Sequence, residues 1–113
     1  MSVIRTAKYM AAIAEAKQED RKERINKAFE QIKGNTIIKI NQQAYQGRIG
    51  CCSKITSSVY NLYPDEMESV LRLINNVFRD QGYEIEVTQD KDNEQEFSLE
   101  ISWDTVKMAE YND

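Results

Sequence analysis

The sequence predicts an α+β fold: a long N-terminal helix, then a small three-stranded sheet covered by one helix, with a fourth strand if positions 41–62 hide one. Three observations predict it. No Pro or Gly interrupts the chain before Gly34, and strong helix formers dominate that stretch. Met67, Val70, Leu71, Ile74, Val77 and Phe78 recur at three-and-four spacing, the signature of a second, amphipathic helix. Two late segments, Tyr83 to Val87 and Phe97 to Trp103, alternate apolar and polar residues with period two, as half-buried strands do.

The first helix is expected over 1–33. Ala7, Met10, Ala11 and Ala14 form one apolar cluster on it, and Ile25, Phe29 and Ile32 form another. Gly34-Asn35 reads as its stop, with Lys33 at the negative helix end. Between the clusters, seven of the eight residues from Lys17 to Arg24 are charged, so no face there suits a dry core. About 30 helical residues span roughly 45 Å, whereas a compact chain of this length has a radius of gyration of about 13 Å. The helix must therefore overhang its own domain or hinge at 17–24.

Positions 34–103 are expected to form the small α+β domain. Thr36 to Ile40 is β-rich and reads as its first strand. Asn41 to Leu62 shows no clear period; short strands around Arg48–Cys51 or Ile55–Val59 would fit there. Pro64, Asp65 and Glu66 open the second helix, and Gly82 closes it. The polar link from Thr88 to Glu96 joins the last two strands as a hairpin. A right-handed strand–helix–strand crossover would set the Ile38/Ile40 strand parallel to a later one. The second helix, with Ile25, Phe29 and Ile32, would cover the apolar sheet face. Glu84, Glu86, Ser98, Glu100 and Ser102 would line the other. Residues 104–113 read as a polar tail with a helical turn around Val106 to Tyr111.

Composition narrows the function. The 113 residues suit one domain, and 41% hydrophobic content is too high for a wholly disordered chain. No apolar run approaches the roughly 20 residues of a membrane span, and Met1 to Arg5 lacks the start of a secretory signal. There is no His, which removes Ser-His-Asp and Cys-His catalysis and His–metal ligation within the chain. Cys51 and Cys52 are adjacent, read as free thiols, and are too few for a structural zinc site. Positions 1–54 hold eleven Lys/Arg against five Asp/Glu; positions 55–113 hold four against fourteen. One half could meet an anionic partner, or identical subunits could pack head to tail. With a net charge of −4, direct nucleic-acid binding is not expected.

Catalytic constellations are missing from the pattern. Gly47-Arg48-Ile49-Gly50 lacks the Gly-Lys-Ser/Thr ending of a phosphate loop. Glu84, Glu86 and Glu100 sit on an open sheet face that separates no pair of pKa values. Asp90, Asp92 and Glu94 lack the glycine and closing glutamate of a calcium loop. The expectation is a protein that is not an enzyme, with no cofactor and no metal. A small anionic ligand, such as a nucleotide, would be held by Tyr45, Arg48, Lys54 and Tyr60, which combine cations with aromatic rings. Self-association or docking on another protein would use Ala7, Met10, Ala11 and Ala14, small enough for close helix approach.

The chain resembles a group of small tailed-bacteriophage proteins. The resemblance lies in Thr6-Ala7-Lys8 opening the long helix, Ala28-Phe29-Glu30-Gln31-Ile32 within it, Gln81 to Val87 at the end of the second helix, and the closing Ile101-Ser102-Trp103. It covers most of the chain and omits Asn41 to Leu62. It implies a phage accessory or virion-associated protein without enzymatic activity, found in the virion or the infected host cytoplasm, with itself or other phage proteins as partners. Two alternatives are an anti-defence protein that sequesters a nucleotide signal, and an acidic inhibitor of a host nucleic-acid-binding protein.

Overall fold

A computed structural model describes residues 5–103; the expected turn around Val106 to Tyr111 lies outside them. Its first element is one uninterrupted helix, α1 (Ala7–Tyr45). The Thr6 side chain caps it by accepting from the Tyr9 backbone N–H at 3.2 Å. Neither expected break occurs. The charged stretch 17–24 does not hinge, and Gly34-Asn35 does not stop the helix. The expected strand Thr36–Ile40 lies within the helix's last third. Ala28, Ile32, Thr36 and Ile40 are buried at a spacing of four, and tertiary burial outweighs the β preference of the branched residues. Thr36 satisfies its hydroxyl by donating to the Ile32 carbonyl at 2.7 Å.

The helix ends at Gly47 instead. Gly47 has φ +80° and donates to the Ala44 carbonyl, while Arg48 donates to that of Gln43, so the last carbonyls are satisfied. The first strand follows as β1 (Gly50–Thr56), inside the segment that showed no period, and leads into a 3-10 turn at Ser57–Tyr60. Then come α2 (Pro64–Asp80), β2 (Glu84–Gln89) and β3 (Glu96–Ser102). Here the expectations hold: Pro64 starts α2, and Gly82, at φ +93°, closes it with the same bonding pattern as Gly47.

The sheet has the order β1-β3-β2, and both pairings are antiparallel. No parallel pair of strands is hydrogen-bonded in it, contrary to the expected parallel neighbour. β1 and β2 do run in one direction, but the hairpin returns β3 between them.

Both helices cover one sheet face. Ile55, Ile85, Phe97, Leu99 and Ile101 pack there with Met67, Val70, Leu71, Ile74 and Phe78 of α2 and Ala28, Ile32 and Ile40 of α1. Phe78, Tyr83 and Trp103 extend this core as two edge-on ring contacts of 5.7 and 6.3 Å. The molecule is elongated, 72 × 31 × 20 Å, with a radius of gyration of 18.9 Å. Compactness would give about 13 Å; the overhang of α1 accounts for the difference.

Candidate functional site

The overhang begins at a charge clamp. Glu66, in the first turn of α2, is 2% exposed. Arg24 donates to its two carboxylate oxygens at 3.2 and 3.3 Å, and Arg21 Nε lies 3.3 Å from Oε2. The Tyr63 backbone N–H donates to Oε1 at 2.9 Å, which also caps α2. Arg24 further donates to the Asn61 carbonyl at 3.0 Å and pairs with Asp20 at 3.2 Å. The charged stretch is thus half of an inter-helix joint. Arginines at 21 and 24 reach one buried carboxylate, which a reading of α1 by itself could not reveal.

Ahead of this joint, α1 stands alone. Among the described residues, none from 7 to 20 is buried, and none bonds outside its own helix, its cap and the adjoining Arg5. That segment projects by roughly 21 Å at 1.5 Å per residue. It carries all four residues of the expected association stripe: Ala7, Met10, Ala11 and Ala14 are exposed, Met10 at 51%. The stripe is in line with the buried seam farther along. Positions 7, 11, 14, 18, 21, 25, 28 and 32 advance by three or four, so one side of the helix faces solvent first and the core later. Tyr9, 49% exposed, adds apolar surface and lies under the Arg5 guanidinium, 4.9 Å from its ring centroid.

The expected ligand residues do not assemble. Tyr45 is 93% exposed at the end of α1, and Arg48 is tied to Gln43 Oε1 at 2.9 Å. Lys54 and Tyr60 lie towards the far end of β1, roughly 20 Å away at 3.3 Å per residue. Lys54 and Tyr60 do share a groove of about 240 Å³ with Asn35 and Lys39 of α1. Lys39, absent from the sequence expectation, donates to the Cys52 carbonyl and, at 3.1 Å, to Ser53 Oγ.

The outer sheet face is acidic and open. Glu86 lies directly across from Glu100, which faces Cys52 on its other side, and all three are exposed. A shallow depression of about 920 Å³ there includes Glu84, Glu86, Glu100, Cys52 and, at the rim, Arg79. Strand alternation sends the two thiols to opposite faces. Burial pushes the Cys51 thiol above its usual range; the Lys39 ammonium opposes this and Cys52 adds to it. Among the described residues, no group of three or more Cys, Asp or Glu is placed to hold a metal ion. No described helix is long and apolar enough to cross a membrane.

Comparison with known proteins finds no protein-family match, no similar curated protein and no similar solved structure.

Proposed function

We propose that the protein is a non-enzymatic association module that docks through the projecting part of α1, acting as a phage accessory or virion-associated component. The observation that carries this reading is a 14-residue stretch, Ala7 to Asp20, helical without cover from its own chain among the described residues. It continues a helix already nucleated in the core, and among the described residues nothing buries its apolar stripe. A partner lying on the Ala7/Met10/Ala11/Ala14 stripe supplies the missing burial. The stripe is the outward continuation of the face that already packs on α2, so the same side of the helix serves both contacts.

A photo-crosslinking residue at Met10, in cells that naturally produce the protein, tests the reading. A covalent adduct at Met10 is expected, with none from a control probe at Glu94 on the hairpin tip. The absence of any adduct at Met10 would overturn it.

A further inference from the structure

We infer that the partner of the projecting segment is a second copy of this chain, lying antiparallel along it; this rests on the docking role proposed above. The argument comes from how charge is arranged on the free segment. Its outer end carries Arg5 and Lys8 and no acid; its inner end carries Glu15, Glu19 and Asp20 against Lys17 alone. The two ends therefore hold +2 and −2. A parallel pair would set like ends together. An antiparallel pair sets Lys8 of each copy against Glu15 and Glu19 of the other, which share one flank of the stripe, twice over by symmetry; Arg5, held over Tyr9, adds positive charge from the far side.

The clamp sets the limit of the overlap. Arg21 and Arg24 are committed to Asp65, Glu66 and Asp20, and α2 closes the stripe side of the helix from there on. A partner helix can follow the stripe only as far as Asp20. Its basic end then arrives beside Asp65, whose side chain is 73% exposed. The antiparallel arrangement also leaves the two globular parts at opposite ends of the pair, where they do not collide. Alanines along the seam let the axes approach to about 8 Å. Their small area makes the dimer a weak one that depends on concentration and salt.

Sedimentation equilibrium of the full chain over a concentration series tests this, with thermal melts confirming that each variant folds. The wild type should pass from 13.2 kDa to twice that mass. The variants Arg5→Glu/Lys8→Glu and Glu15→Lys/Glu19→Lys should each dimerise about tenfold more weakly, the scale of several exposed ion pairs turned repulsive. Mixed in equal amounts, they should regain wild-type association. A wild type that stays monomeric at millimolar concentration overturns the inference; a Met10 adduct with a different protein would then leave the docking role standing. Unchanged dimerisation in both variants, or failure of the mixture to recover, overturns the antiparallel pairing.

Discussion

Arg24 reaches across 42 positions of chain to hold both carboxylate oxygens of Glu66, at 3.2 and 3.3 Å. Glu66 is buried and the arginine is not, so the two partners should respond differently to removal. Arg24→Ala strands a buried carboxylate with one side chain, Arg21, still on it, and should cost about 3 kcal/mol. Glu66→Gln keeps the shape and part of the cap, and frees two arginines that can turn to water; about 1–2 kcal/mol is expected. Urea unfolding of both variants reads the order, and a larger loss for Glu66→Gln would contradict this account.

Gly34 and Gly47 should respond with opposite signs to the same substitution. Gly34 is helical, and a Cβ there would meet nothing within 4 Å outside its own helix. Gly34→Ala should therefore stabilise by about 0.5–1 kcal/mol. Gly47 also has room, but its φ of +80° suits no side chain, so Gly47→Ala should destabilise by roughly 1 kcal/mol. Shifts in the urea midpoint at constant slope check both.

The two thiols should be distinguishable by alkylation. Cys52 is exposed and Cys51 half-buried, with its thiol pushed up chiefly by burial. Iodoacetamide should modify Cys52 first, while the rate at Cys51 keeps rising to higher pH. The same shift has a stability sign. A folded-state value above the unfolded one means that stability is whole below the ordinary thiol range and is lost as pH climbs through the raised value. Cys51→Ala should flatten that part of the melting-temperature profile; an unchanged profile would count against the shift.

Helicity should depend on protein concentration. If residues 7–20 are helical only when covered, dilution should lower the ellipticity at 222 nm without moving the near-ultraviolet signal of Trp103, half-buried against the core. Signals that stay constant from millimolar to nanomolar concentration would show the overhang to be stable alone.

The elements whose packing is written locally were legible. The α2 stripe, its Pro64 start, its Gly82 end and the two alternating strands all occur, the strand bounds shifted by one or two residues and Val77 and Val87 left exposed. The misplaced boundary came from two glycines with identical chemistry. Gly34 and Gly47 both look like helix ends, and only the burial of Thr36 and Ile40 against distant residues decides between them. That decision lies in tertiary contacts, as does the role of Arg21 and Arg24. β1 was anticipated only as short pieces around Arg48–Cys51 or Ile55–Val59, because Gly50, Cys51, Cys52, Ser53 and Lys54 give no clean alternation to join them. The placing of Ala7, Met10, Ala11 and Ala14 on one helix was readable because their spacing is local. The supposed ligand group was not one site, because the length of β1 separates its members.

Lys39 does more than bond a carbonyl. Ile49 and Trp103 are joined by a backbone bond at 3.0 Å, so odd positions of β1 bond inward to β3 and even ones present their groups at the free edge. The Cys52 carbonyl is one of these, and Lys39 occupies it. A helix side chain thus stoppers the row of acceptors on which another strand would template itself. The β1 edge of the sheet is corked from within at this position. Pairing of a further strand along this edge, which would run on into fibres, is thereby obstructed.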